Sequence, residues 1–257
     1  MSRFVNLEFD DQFEDRSDAS EVVKDEAYYF SQGQAAFENG QFEQALRLFA
    51  KVLEHNPQNA AAWTGQVRML IELGEFREAK LWADKALERF PVEPELLAAK
   101  AVALGRIGDL NAALAFSDAS IEERGDTPYI WLARGDVLLA REEKRATYCF
   151  EKAHLLSPDN WFYAWLASRI YFFYEKFSLA FKFAQQALTL NSGQGVIWLQ
   201  VGQCQLALGL IDPARNSFEQ ARQLNHNSLE VNEAMVRLSR LGFWSKLRRQ
   251  WRQLFSR

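Results

Sequence analysis

EAYYFSQGQAAFENGQFEQALRLFAKVLEHNPQN, residues Glu26 to Asn59, is the stretch that decides the fold. It contains two short helical patterns that are separated near Asn39 and Gly40, and Pro57 ends the second pattern. A unit of this length cannot bury its own apolar face, so several copies must stack before a core can form. The stretch therefore predicts a repeat architecture, provided that its pattern returns along the chain.

The pattern returns through most of the sequence. One alanine marks the second helix of each copy, at spacings of 34, 34, 33, 34 and 34 residues: Ala45, Ala79, Ala113, Ala146, Ala180 and Ala214. A small residue or valine stands seven places after each: Val52, Ala86, Ser120, Ala153, Ala187 and Ala221. A turn glycine precedes four of the alanines, with an apolar residue two places after it: Gly40 and Phe42, Gly74 and Phe76, Gly108 and Leu110, Gly209 and Ile211.

This period and these residues resemble the tetratricopeptide repeat family, over residues 26–228. The resemblance implies an all-α fold, a right-handed α-solenoid of about six helix pairs with C-terminal capping helices. The residue types agree with it physically. Small residues let antiparallel helices approach closely, glycine ends a helix in a left-handed conformation, and bulky residues fill the space between pairs.

Copies four and five depart from the pattern. In copy four the sequence AREEKRA, residues 140–146, stands in place of the turn glycine, and this copy is one residue shorter than the others. The change predicts a tighter or differently capped turn. Copy five has Glu175 at the glycine position. Residues 161–183 of the same copy contain eleven aromatic side chains.

Three segments follow from composition. Residues 1–25 form an acidic tail with isolated rings at Phe4, Phe9 and Phe13, which favours flexibility. Residues 26–228 hold the repeats, and residues 229–257 are expected to form a capping helix and a basic amphipathic helix.

The chain starts without an apolar signal region and has no run of about 18 apolar residues. We therefore expect a cytoplasmic protein, with membrane association at the inner face left open.

The two ends of the chain carry opposite charge. Residues 1–25 contain eight acids and three bases, and residues 234–257 contain seven bases and no acid. Two roles remain open for the basic helix, namely a cap over the last repeat and a surface that contacts a membrane or a partner. Nucleic acid is not expected to be a partner. The residues expected to form a membrane or partner face are Trp244, Lys246, Leu247, Arg248, Arg249, Trp251 and Arg252.

No pattern in the sequence suggests catalysis. Phosphate-binding, metalloprotease and nucleophile-elbow motifs are absent. His55, His154 and His226 are widely separated, and Cys149 and Cys204 lie in helical patterns as expected of small buried thiols. We expect a non-enzymatic protein without metal or cofactor.

A binding groove is implied by the resemblance, since the first helices of tetratricopeptide repeats line the concave side of the solenoid. The expected lining residues include Phe30, Gln34, Phe37, Arg68, Arg106, Leu132, Asp136, Phe162, Trp165, Arg169, Phe172 and Phe173. Some relatives grip a carboxylate with a lysine and asparagine clamp. Here those positions are Phe30, Gln34, Thr64 and Arg68, so we do not expect that clamp.

The predicted function is a scaffold or adaptor that holds a peptide or helical segment of a partner protein in an apolar, aromatic groove. The alternative is a peripheral membrane assembly factor that docks through its basic C-terminal helix. Rings exposed on a surface also leave self-association open. A further hypothesis is that residues 4–13, which are acidic and aromatic, occupy the groove, either of their own chain or of a neighbouring molecule.

Overall fold

The computed structural model describes residues 24–225 and 228–239 of the chain, which are helical throughout apart from turns and short connections. Twelve helices form six consecutive pairs: α1 (Glu26–Glu38) with α2 (Phe42–His55), α3 (Ala60–Glu72) with α4 (Phe76–Leu87), α5 (Pro94–Ile107) with α6 (Leu110–Arg124), α7 (Pro128–Ala140) with α8 (Ala146–Leu156), α9 (Trp161–Phe173) with α10 (Phe177–Leu190), and α11 (Gly195–Ala207) with α12 (Ile211–Leu224). A further helix, α13 (229–239), follows. The fold class predicted from the sequence is confirmed.

Four of the six first helices begin after a residue whose side chain accepts a hydrogen bond from a free backbone N–H group of the first turn. The Asp25 side chain accepts a hydrogen bond of 2.9 Å from the N–H of Tyr28, and the Asn59 side chain accepts one of 2.8 Å from Ala62. Pro128 occupies the first position of α7, where its fixed φ suits a helix and its missing N–H costs nothing. Local sequence therefore determines where these helices start.

The turns inside the pairs all use a left-handed residue. Gly108 has φ 100°, and the two non-glycine substitutes, Glu142 and Glu175, adopt φ 58° and 56°. The N–H of Glu142 donates to the carbonyl of Leu139, and Glu175 makes the equivalent bond to Phe172. Copy four thus keeps the left-handed turn residue. Of the two outcomes that we expected, a tighter turn or a different cap, the structure has the different cap, because α8 does not begin until Ala146 and its N-cap Arg145 is itself in the right-handed helical region.

Neighbouring pairs interlock through rings that pack on glycines. Phe49 of α2 lies between α1 and α3, so that a Cβ added at Gly33 would stand 3.0 Å from its ring and one added at Gly65 would stand 2.9 Å from it. Only glycine leaves room for a ring between two helices at this spacing. This contact, with its equivalents in other copies, stacks the pairs into a continuous core.

The last described helix covers the apolar edge of copy six. Val231, Ala234 and Leu238 of α13 are buried against Phe218 of α12 and Leu199 of α11. These three positions lie three, four and seven residues apart, on one helical face. The other face of α13 exposes Leu229 and Val236.

Candidate partner-binding site

The concave side of the solenoid is closed by contacts between copies that are distant in sequence. The ring of Phe37, at the end of α1, packs edge to face on Phe162 of α9 with centroids 4.9 Å apart. Phe42, at the start of α2, stacks on Trp165 at 6.4 Å. Copy one therefore meets the aromatic first helix of copy five across the concave side, and much of the expected groove is filled by the chain itself.

Arg68 lies in the middle of this closed region. Its guanidinium lies 3.8 Å from the ring centre of Tyr129 and 4.9 Å from that of Phe37. Such stacking holds an arginine by its flat face through cation–π attraction. Burial raises the pKa of Tyr129, so its hydroxyl remains neutral beside the cation at physiological pH.

A buried ion pair joins copies three, four and five. Arg106 of α5 donates two hydrogen bonds to Asp136 of α7, at 2.9 and 2.6 Å. Tyr174, at the end of α9, donates a third to the same carboxylate at 2.7 Å. The side chains of Arg106 and Asp136 are only 7% and 2% exposed. Burial, reinforced by the Asp136 charge, raises the pKa of the Tyr174 hydroxyl, which therefore remains a donor.

A second ion pair fastens copy five to copy two. Arg169 of α9 donates a hydrogen bond of 2.8 Å from Nε to a carboxylate oxygen of Glu72, and its Nη2 lies 2.6 Å from the same oxygen. The Arg169 guanidinium also lies 4.6 Å from the ring centre of Phe42. Burial raises the pKa of the Glu230 carboxyl on α13, and the positive charge of Arg169 offsets part of this increase. Arg106 and Arg169 thus both face acids of the same chain, so neither is an unpaired cation awaiting an acidic ligand.

An open cavity on the concave side has a volume of about 210 Å³. Phe173, which is 47% exposed, stands at this cavity with its ring 3.5 Å from the guanidinium of Arg106. Pockets for drug-sized ligands usually measure about 300 Å³ or more, so this cavity suits one or two side chains. Its walls are formed by Ile71, Glu72, Gly74, Phe76, Arg106, Arg169, Ile170, Phe172, Phe173, Gln200 and Gln203.

The residues predicted to line a groove fall into three groups. Four of them line the open cavity, namely Arg106, Arg169, Phe172 and Phe173. Phe37, Arg68, Leu132 and Asp136 surround a smaller cavity of about 30 Å³, the space of one water. Of the rest, Phe162 and Trp165 are buried, Phe30 is half-buried and Gln34 is exposed. Whether any of these residues binds a partner stays a prediction.

Several residues at this site were not among those predicted. Phe42 and Phe76 belong to the turn positions that recur in each copy, so their spacing was visible but their place on the concave side was not. Glu72 and Gln200 occupy the last and a middle turn of first helices, and no sequence signal distinguishes them. Whether such side chains reach the cavity depends on how far the solenoid curves.

The described residues offer no arrangement that suggests catalysis. Within them no group of histidine, cysteine and carboxylate side chains is placed to hold a metal ion. Burial raises the pKa of Cys149, and raises that of Cys204 to about 11, so both thiols are protonated and poor nucleophiles at neutral pH. None of the described helices has both the length and the apolar character needed to cross a membrane.

Two predicted features lie outside the described residues. These are the acidic tail, of which only residues 24 and 25 are described, and the basic helix that contains Trp244, Lys246, Leu247, Arg248, Arg249, Trp251 and Arg252. The tail's occupation of the groove and the membrane face of the basic helix both stay predictions.

Comparisons with known proteins agree with the fold. Residues 36–103 match the family model for the tetratricopeptide repeat. No curated protein matches the sequence significantly. Among solved structures, a chain of the APC/C hetero-tetramer Cut9–Hcn1 is similar with a TM-score of 0.51 and 15% identity, covering 85% of this chain and 44% of that one. A tetratricopeptide repeat protein from Parabacteroides merdae ATCC 43184 has a TM-score of 0.54 and 17% identity, covering 83% of this chain and 84% of the other.

The chain thus spans less than half the length of the first of these structures. At such low identity the two structures establish the fold alone. Together with the match at residues 36–103, they confirm the resemblance that the repeat spacing predicted.

Proposed function

We propose that this tetratricopeptide repeat protein is a non-enzymatic scaffold or adaptor that binds a short segment of a partner protein at the open concave cavity. Proteins built on this repeat generally mediate protein–protein interactions and are typically not enzymes. The observation that supports the proposal is the cavity beside Phe173, which combines an exposed ring with two amide side chains, Gln200 and Gln203.

The shape of this site favours an extended segment with a single large anchor. A whole amphipathic helix needs a groove with several pockets, whereas the closure by Phe37, Phe42 and Trp165 leaves room for one or two side chains. Aromatic anchors that fill a preformed pocket contribute most of the binding free energy in such interfaces.

The charges at the cavity favour a neutral anchor. Glu72 and Asp136 already neutralise Arg169 and Arg106, so a partner's carboxylate would have to displace one of them. The amides of Gln203 and Gln200 offer both donors and acceptors to a peptide backbone. We therefore expect ligands with an aromatic or aliphatic anchor and no requirement for acidic residues.

A display library of random peptides tests this proposal. Peptides selected by the full chain should be enriched in one aromatic or aliphatic anchor, and Phe173→Glu should weaken their binding by about tenfold or more. Leu81→Glu is the matched control, because Leu81 is an exposed apolar residue on α4 that is remote from the cavity lining. Selected peptides whose affinity is insensitive to Phe173→Glu would contradict the proposal. Trp165 is a poorer probe, because it is buried and its truncation reports on stability.

The peripheral membrane alternative depends on the basic segment. Residues 234–257 combine seven bases with Trp251 and Leu247, a composition that binds anionic bilayers. If this function holds, the full chain should sediment with vesicles that contain phosphatidylserine, and Arg248→Glu/Arg249→Glu/Arg252→Glu should abolish sedimentation. Equal sedimentation of the two proteins, or none of the native chain, would remove this alternative.

A further inference from the structure

The open concave cavity adjoins the smaller cavity of about 30 Å³, which we call the inner cavity. The two cavities share part of their walls, so a group that enters the open cavity meets the inner one at its end. The shared residues form a neck between the two: Ile71, Glu72, Arg106 and Ile170.

The first helices show how the two cavities are arranged. In α3, α5 and α9 alike, the residues of the inner cavity come earlier in the helix than those of the neck. Four residues of an α-helix rise about 6 Å, which matches the length of a tyrosine side chain from Cβ to hydroxyl. The residue that lines only the inner cavity comes four places before a neck residue in each case: Arg68 before Glu72, Val102 before Arg106, and Leu166 before Ile170.

The inner cavity contains a hydrogen-bond donor that lacks a partner. Nη2 of Arg68 is buried and makes no hydrogen bond to any described residue. Tyr129 and Phe37 hold this guanidinium by its flat faces, at 3.8 and 4.9 Å, so its edge with the N–H groups remains for another molecule. A buried donor without a partner is costly, and a ligand that brings an acceptor removes that cost.

A free acceptor oxygen lies one helical turn away, at the neck. Glu72 receives Arg169 on Oε2, and no described residue donates a hydrogen bond to its Oε1. Asp136, the other acid of the inner cavity, already accepts three hydrogen bonds from Arg106 and Tyr174. The passage from the open cavity to the inner one therefore offers one unused donor and one unused acceptor.

We propose that the partner segment anchors at this site through a tyrosine side chain whose hydroxyl enters the inner cavity. The inference rests on the proposed function and specifies its anchor. The ring lies in the open cavity beside Phe173 and Phe76, while the hydroxyl accepts a hydrogen bond from Arg68 and donates one to Glu72. A phenol is both donor and acceptor and stays uncharged at neutral pH. Its oxygen needs about the space of the one water that the inner cavity holds.

Other anchors match this pair of groups less well. Phenylalanine leaves both the Arg68 donor and the Glu72 acceptor unpaired. A carboxylate accepts from Arg68 but meets the negative charge of Glu72, and an ammonium group meets the reverse problem. A glutamine amide has both kinds of atom but needs more room than a single water occupies. Arg68 is thus a specificity-determining residue for the hydroxyl of the anchor.

Matched peptides test the anchor. Peptides are selected by the native full chain from a display library, and their anchor is then exchanged between tyrosine and phenylalanine. Calorimetric titration should show that the tyrosine peptide binds about tenfold or more tightly than the phenylalanine peptide. Equal affinities, or tighter binding of phenylalanine, would overturn the inference and leave the proposed function intact. The proposed function fails differently, through peptides that are insensitive to Phe173→Glu.

Arg68→Met tests where the hydroxyl lies. This variant keeps an unbranched apolar stem and removes the donors, so the ratio of the two affinities should fall to about threefold or less. A general loss of stability lowers both affinities alike and leaves their ratio unchanged. Arg134→Met is the control that should keep the native ratio, because Arg134 pairs with Asp118 and lines neither cavity. A native ratio in Arg68→Met would remove the role of Arg68.

A third peptide, with 4-methoxyphenylalanine as the anchor, supplies an independent measurement. Its ether oxygen has no proton for Glu72, and its methyl group exceeds the space of the inner cavity. It should therefore bind about tenfold more weakly than the tyrosine peptide. Equal binding of the two peptides would place the tyrosine hydroxyl in solvent and contradict the inference.

Discussion

Copies two and three differ from copies four and five in what fills the space between their helices. Copies two and three bury alanines such as Ala79, Ala83 and Ala99, and their one ring buried to the same degree is Trp63. Copies four and five also bury alanines, but they bury several rings as well, among them Phe150, Tyr171 and Phe183. The same repeat period therefore gives two kinds of interface, one with few buried rings and one with many.

The difference has a consequence for surface shape. The rings of α9 close the concave side, and a cavity of about 570 Å³ opens between α8 and α10. Buried polar atoms do not separate the two regions. Those without a geometrically satisfactory hydrogen bond among the described residues are Gln66 Oε1 and Arg68 Nη2 in copy two, and Trp165 Nε1 and the Tyr171 hydroxyl in copy five.

The largest expected effect comes from removing the acid that joins these two regions. Asp136→Ala would leave Arg106 buried without its partner, and breaking a buried pair in this way costs about 3–5 kcal/mol of unfolding free energy. Asp118→Ala is the matched control, because Asp118 pairs with Arg134 but is 48% exposed, and it should cost less than about 1 kcal/mol. Urea unfolding measures both, and similar losses for the two variants would contradict the role given to burial.

Two buried glycines offer a direct comparison of ring and alanine packing. A Cβ at Gly135 would stand 2.7 Å from the Phe150 ring, whereas a Cβ at Gly105 would have no neighbour nearer than 3.7 Å. Gly135→Ala should lower the unfolding free energy by about 1–2 kcal/mol, since overpacking outweighs the gain in helix propensity. Gly105→Ala should raise it by about 0.5–1 kcal/mol. A rise in the thermal unfolding midpoint for both variants would show that the Phe150 ring moves easily to make room for the added methyl group.

An effect smaller than that of Gly135→Ala concerns the turns. Glu175 is held at φ 56°, where an L-residue is strained, so Glu175→Gly should stabilise the chain by about 1 kcal/mol. Gly74 has φ 81° and no neighbour near its Cβ position, so Gly74→Ala should destabilise by a similar amount through strain alone. Opposite shifts in the urea midpoint are expected, and a loss of stability in Glu175→Gly would indicate that the glutamate side chain contributes to the turn.

Most of the fold could be predicted from the sequence, because it depends on local pattern. The alanine spacing located the second helix of each copy, and the glycine positions located the turns, including the one where Glu175 replaces glycine. Glu142 of copy four was not identified as the left-handed residue, because the turn that contains it is one residue shorter. The site could be predicted only in part. Sequence reasoning placed Arg106, Arg169 and Phe173 on the concave side, but it treated them as open to a partner and did not identify Asp136 and Glu72 as their acidic partners.

The stretch from Glu26 to Asn59 thus determined by itself that this chain is a helical solenoid, since a unit too small to fold alone must stack on its copies. Only the tertiary structure decided that Phe37 would meet Phe162, and Glu72 would meet Arg169, across the concave side. The small rotation from each pair to the next accumulates over several copies, so that contacts between distant copies depend on the sum of many packing contacts and on no single motif.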